Sequence, residues 1–157
     1  MKVGMVMGSV SDWPVMKEAE DVLTELGIEV DKRILSAHRT PAQLAEWVDG
    51  AEESDIRVFI AGAGGAAHLA GCVAALTVRP VIGVPVKAKV LDGLDSLLSM
   101  VQMPSGIPVA TVSINGARNA GLLAAQMLAL HDSALAERLR RLREKQAEKV
   151  LSTQFPD

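Results

Sequence analysis

The sequence predicts an α/β fold, a central parallel sheet covered by helices on both faces, and three observations predict it. Short apolar, partly β-branched runs alternate with runs of helical period along most of the chain. Three consecutive strand ends carry loops rich in Ser, Asp, His, Arg and Gly, the place where ligands bind in such sheets. The length, 157 residues, is that of one ordinary domain. The chain divides into an α/β core over 1–131 and a C-terminal helical extension over 132–157.

The elements follow in order. Residues 2–7 form a first strand that runs into Gly8-Ser9-Val10-Ser11-Asp12. A helix starts at Asp12, where Pro14 suits a first turn; Val15, Met16, Ala19, Val22, Leu23 and Leu26 repeat at helical spacing until Gly27 stops them. Residues 28–35 read as a second strand, followed by Ser36-Ala37-His38-Arg39-Thr40 and a Pro41-led helix carrying Leu44, Trp47 and Val48. A third strand over 57–61 feeds Gly62-Ala63-Gly64-Gly65-Ala66-Ala67-His68, with a helix over 69–76. Strands over 80–85 and 108–112 complete the sheet. After Asn115 the chain is helical, first through residues 122–128 and then, past His131-Asp132-Ser133, from 134 to about 151. The stripe of Leu135, Leu139, Leu142 and Val150 is narrow and flanked by basic residues, so a neighbouring subunit is expected to cover it.

Composition removes several classes of function. Sixteen basic against 19 acidic residues leave a net charge of −3, without the footprint of a general nucleic-acid binder. Two Trp, two Phe and no Tyr offer few platforms for stacking bases. A hydrophobic share of 49% excludes a disordered chain, and apolar runs are cut before they reach membrane-spanning length. The N-terminus lacks the build of a signal peptide, and the lone Cys72 has no partner for a disulfide or a shared metal, so a cytoplasmic setting is expected.

Each loop has two readings. Gly8 to Asp12 is either a capped helix start or, through its amides and two hydroxyls, a cradle for one phosphate. It lacks the P-loop Lys and the spaced glycines of a dinucleotide fingerprint, which disfavours ATP and NAD. In the second loop, Arg39 can hold phosphate bidentately and lies beside His38, a group suited to general acid–base work; the alternative is a surface pair with Thr40 capping the next helix. The Gly-rich third loop suits close approach of backbone to a flat or anionic ligand, or simply a turn needing positive φ. No metal-ligand motif and no nucleophile elbow is found. Proton transfer by one or two histidines on a small phosphorylated substrate is what remains.

Read together, Gly8-Ser9-Val10-Ser11-Asp12-Trp13, Ser36-Ala37-His38-Arg39-Thr40-Pro41 and Ala61-Gly62-Ala63-Gly64-Gly65-Ala66-Ala67-His68-Leu69 resemble the PurE family of purine biosynthesis. Val81-Ile82-Gly83-Val84-Pro85, the stretch from Asp95-Ser96 to Met103-Pro104, and Asn119 to Gln126 extend the resemblance over nearly the whole chain. It implies a flavodoxin-like three-layer sandwich assembled as a homo-octamer. The implied reaction moves a carboxylate from the exocyclic nitrogen of N5-carboxyaminoimidazole ribonucleotide to ring carbon C4, with no cofactor, no metal, no nucleic acid and no membrane. By the same resemblance Ser9, Ser11 and Arg39 match positions holding the 5′-phosphate and Asp12 the position binding the ribose. His38 matches the proton-transfer residue, while Gly64, Gly65 and His68 match the wall around the reacting atoms; Ser36 joins the substrate-binding set. Ala70 stands where the family has Pro, and residues 114–119 are a residue or two short of its Gly-rich stretch. Direct carboxylation of aminoimidazole ribonucleotide with CO2, and a non-enzymatic module that senses a phosphorylated ligand, are the competing expectations.

Overall fold

The computed structural model describes residues 1–51 and 53–155. Five parallel strands form one sheet in the order β2-β1-β3-β4-β5: β1 (Lys2–Met7), β2 (Glu29–Ile34), β3 (Ile56–Gly64), β4 (Val81–Val86) and β5 (Ala110–Thr111). The helices are α1 (Trp13–Glu25), α2 (Pro41–Asp49), α3 (Leu69–Leu76), α4 (Leu94–Val101), α5 (Ala117–Ala129) and α6 (Ser133–Leu151). No helix among the described residues is long and apolar enough to cross a membrane.

The period-two alternation of strand side chains divides the core in two. Val3, Met5 and Met7 of β1 with Val58 and Ile60 of β3 meet Met16, Ala19 and Leu23 of α1 and Ala120, Ala124 and Ala125 of α5. On the other face, Val6, Phe59 and Ala61 pack with Leu44 and Val48 of α2, Val73 of α3 and Met100 of α4. Helices on both faces of a parallel sheet give the expected three layers. The strand order reverses between β1 and β3, so the crevice beyond their carboxyl ends is open to a ligand.

The structure corrects several expectations. β3 runs through Gly62, Ala63 and Gly64, which pair with Val84, Pro85 and Val86. Gly62 is needed for packing, because a Cβ there would collide with Met16 Sδ. Among the three glycines of this stretch, Gly62, Gly64 and Gly65, it is Gly65, at φ +71°, that needs glycine's backbone freedom. β5 pairs through Ala110 and Thr111 alone, shorter than 108–112, at a sheet edge where Pro108 has no N–H to donate. α4 was not anticipated; irregular backbone at positive φ through Leu91, Asp92 and Gly93 precedes it in place of a recognisable cap.

The C-terminal stripe is corrected in part. Leu135 and Leu139 are 2% and 8% exposed in the core of their own domain, and Arg138 Nε donates to the carbonyl of Leu26 at 2.9 Å. Asp132 caps α6 by accepting from the Leu135 amide at 2.9 Å. The small residues of α5 are also used within the chain: a Cβ on Gly121 would stand 2.9 Å from the Ala19 carbonyl of α1. Beyond Leu142 no α6 residue is buried, and Val150 and Leu151 are 73% and 85% exposed. The last two residues of the 132–157 extension lie outside the described residues.

Candidate active site

Loops at the carboxyl ends of β1, β2, β3 and β4 meet around a cleft of about 740 Å³. Its wall includes Ser9, Ser11, Asp12, Ser36, His38, Arg39 and Gly64 among the expected residues. A larger groove of about 900 Å³ lies at the other end of β4, lined by Leu76, Val78, Pro80 and Ile107 among others. Its charged lining residues are Asp49 and Arg79, and the histidine expected to transfer protons, His38, lines the smaller cleft.

In the first loop a side-chain cap is present, supplied by Ser9 to a short turn ahead of α1. Ser9 Oγ accepts from the Ser11 amide at 3.3 Å and from Ser11 Oγ at 2.9 Å, closing a short 3-10 turn over Val10–Asp12. Asp12 makes no capping bond with its side chain. Burial pushes the Asp12 carboxyl above its ordinary range, and hydrogen bonding to Ser11 and Ser9 offsets this only partly.

The second loop is closed by its own residues. Thr40 Oγ1 accepts from the Ser36 amide at 2.8 Å and donates to the Ser36 carbonyl at 3.2 Å, so it ties the loop shut and does not cap α2. Within that frame Ser36 Oγ accepts from both the amide and Nε of Arg39, at 3.2 and 3.3 Å. Arg39 Nη2 donates to the carbonyl of Gly8 at 2.8 Å. The guanidinium therefore joins the first and second loops, and it lines the same cleft as Ser9 and Ser11.

The third loop delivers His68. Although it occupies the residue before α3, His68 makes no capping bond, and its imidazole meets His38 instead: His38 Nε2 and His68 Nδ1 are 2.9 Å apart, with the rings edge to face. Gly65 is held from behind, where its amide donates to Ser96 Oγ at 2.8 Å.

Sequence reasoning missed the fourth side of the cleft, formed by Lys87, Ala88, Lys89 and Asn115. Asn115 Oδ1 accepts from the Lys87 amide at 2.8 Å, and the Asn115 amide donates to the Pro85 carbonyl at 2.8 Å. The strand-end rule that located three loops points to this one too, since Lys87 follows β4 directly. Lys87 is paired with Asp92 at 2.8 Å. Among the described residues there is no group of three or more His, Cys, Asp or Glu that could hold a metal ion.

With the cleft's geometry in hand, comparisons with known proteins place it in context. A family profile described as AIR carboxylase matches residues 2–149. A Vibrio parahaemolyticus protein named N5-carboxyaminoimidazole ribonucleotide mutase is 52% identical, covering 99% of this chain and 98% of its own. A Pyrococcus abyssi protein of the same name is 59% identical, covering 91% and 82%. The crystal structure of Treponema denticola PurE superposes with a TM-score of 0.87 at 31% identity, covering 95% of this chain and 93% of that one.

Proposed function

Because the chain belongs to the AIR carboxylase family, we propose that it converts N5-carboxyaminoimidazole ribonucleotide to 4-carboxy-5-aminoimidazole ribonucleotide, an isomerase step of purine biosynthesis. The observation that carries this reading is the single cleft in which a phosphate-sized cluster, Ser9, Ser11 and Arg39, shares a wall with His38, while His68 touches His38 without itself lining the cleft. The named relatives at 52% and 59% identity support the mutase reading over direct carboxylation.

In this reading the 5′-phosphate sits on Ser9, Ser11 and Arg39, where contacts to the guanidinium are charge-assisted. Asp12 binds the ribose hydroxyls, and Ser36 holds Arg39 in place. The carbamate C–N bond breaks, releasing CO2 while the exocyclic nitrogen takes a proton from His38. C4 then attacks the CO2 carbon, a C–C bond forms, and the proton on C4 returns to the histidine. One group thus serves as acid and then as base. Between the two steps CO2 must not escape, which the small-residue wall of Ala63, Gly64 and Ala66 favours by fitting closely around it. The reading draws on no cofactor and no metal, and turnover is expected to persist in a chelator.

The reading also carries a cytoplasmic setting and assembly as a homo-octamer. Exposed apolar side chains support the assembly: Leu94, Leu98 and Val101, spaced along one face of α4, are 47%, 48% and 49% exposed. The test of function is to supply each ribonucleotide, with and without bicarbonate, and follow the C4-carboxylated product. Product from the N5-carboxylated substrate without bicarbonate supports the mutase. Product from aminoimidazole ribonucleotide and bicarbonate alone would establish the direct carboxylase, and no product from either would leave a phospho-ligand-binding module.

A further inference from the structure

Ser96 is the one buried polar or charged residue among those described, fully enclosed within α4. It does not line the cleft. Its hydroxyl donates to the Val86 carbonyl at the end of β4, at 2.8 Å, and accepts from the Gly65 amide at 2.8 Å. One turn further along, Ser99 Oγ donates to the Asp95 carbonyl at 2.7 Å and lies 3.3 Å from the Gly65 carbonyl.

These contacts matter because of what they hold. The Gly64–Gly65 peptide is flanked by two residues without side chains, so no Cβ resists its rotation, and Gly65 already sits at φ +71°. A peptide between two glycines is among the easiest in a chain to turn over. Gly64, at the cleft wall, backs onto the same Val86 carbonyl that Ser96 engages; a Cβ there would lie 3.1 Å from it. Ser96 therefore locks the peptide to β4 with a single hydroxyl whose donor and acceptor functions are both used. A buried polar group is retained where its partners need it, and here both partners flank the wall.

We propose that Ser96 is a positioning residue for the reaction: it acts through the Gly64–Gly65 peptide to keep that wall in the one arrangement that retains CO2 beside C4. The inference rests on the mutase reading. It assigns Ser96 no part in holding phosphate or ribose, which lie on the other side of the cleft.

Four variants of the full-length protein test it. Ser96→Ala leaves the Gly65 amide and the Val86 carbonyl without their partner; kcat is expected to fall about tenfold to a hundredfold, the scale of a misplaced wall, with KM for the substrate within about twofold. A larger share of turnovers should also end as aminoimidazole ribonucleotide and free CO2 in place of carboxylated product. Ser96→Thr keeps the hydroxyl and should restore the wild-type share. Val3→Ala, at the far end of β1, lowers thermal stability without changing that share. If Ser96→Ala does not fold, Ser96→Cys, with its weak donor and similar size, is judged by the same product ratio. A wild-type enzyme that is active alongside a Ser96 variant with unchanged kcat and product ratio overturns the inference alone. A wild-type protein inert toward the substrate removes the premise and the inference with it.

Discussion

His38 Nε2 stands 2.9 Å from His68 Nδ1, so one proton is shared between two imidazoles and the tautomer of one ring dictates that of the other. In this contact one ring nitrogen donates and the other accepts, so each ring fixes the orientation of the other. A reaction that gives a proton and later takes one back needs a group with that capacity, and the partner ring offers a way to orient it.

His38→Asn is therefore expected to leave binding of the phosphorylated substrate nearly intact while lowering turnover by about 10² or more, the usual scale for a lost general acid–base group. His68→Asn, which removes the orienting partner and keeps His38, should cost less. Steady-state kinetics with a parallel binding titration check both. A His38 variant that turns over like the wild type, with His68→Asn the more damaging change, would move the proton-transfer role to His68.

Arg39 is held at three points, by Ser36 twice and by Gly8 once, so its guanidinium is presented without much freedom to lose on binding. Arg39→Ala should weaken binding of the phosphorylated substrate more than Ser9→Ala, since the charge-assisted contact is about twice as strong as a neutral one. Calorimetric titration with the substrate and with its 5′-dephosphorylated nucleoside gives the comparison. Equal affinity of the wild type for both ligands would sink the phosphate assignment.

Asp12 gives a pH dependence whose sign is opposite to that of a salt-bridged carboxylate. Its folded-state pKa is raised by burial, so the folded protein holds this proton more tightly than the unfolded chain. Stability is thus lost as pH rises from about the ordinary value of 3.8 through the raised one. Asp12→Asn should melt at a higher temperature than the wild type near pH 7, with the difference vanishing in strong acid, and should bind substrate less well. Equal melting temperatures at neutral pH would show that the buried charge carries no such penalty.

The sheet was legible because its residues obey a local rule: Val3, Met5 and Met7 face one layer and Val6 the other, as period-two alternation requires. The site was legible for a related reason, since loops after strands can be placed once the strands are. What escaped depended on contacts far apart in sequence. α4 begins after three residues at positive φ, a geometry no propensity foretells, and the grip of Ser96 on Gly65 spans 31 positions. Leu135 and Leu139 looked unpartnered because the stripe on α6 is narrow, yet both join the core that α1 and α5 build on one face of the sheet.

That last correction divides the C-terminal helix into two halves with different duties, and two truncations should separate them. The first half belongs to its own domain: Asp132 caps it, Arg138 is tied to Leu26, and Leu135 is 2% exposed, so removing everything after His131 discards core. Large-to-small changes at such leucines cost about 2–5 kcal/mol each, and this truncation is expected to unfold well below the intact chain. The second half buries nothing in its own domain. Val150, Leu151 and Phe155 are 73%, 85% and 99% exposed, which forgoes roughly 1.5–3 kcal/mol for each large side chain that a neighbour could cover. Ending the chain after Leu142 should therefore preserve the melting temperature of the fold measured at low concentration, yet weaken the proposed octamer and lower any activity that depends on it. Light scattering and kinetics on both truncations provide the check. A stable monomer from the intact chain at micromolar concentration would overturn the assembly, and a fully active octamer ending at Leu142 would hand the interface to the exposed α4 face of Leu94, Leu98 and Val101.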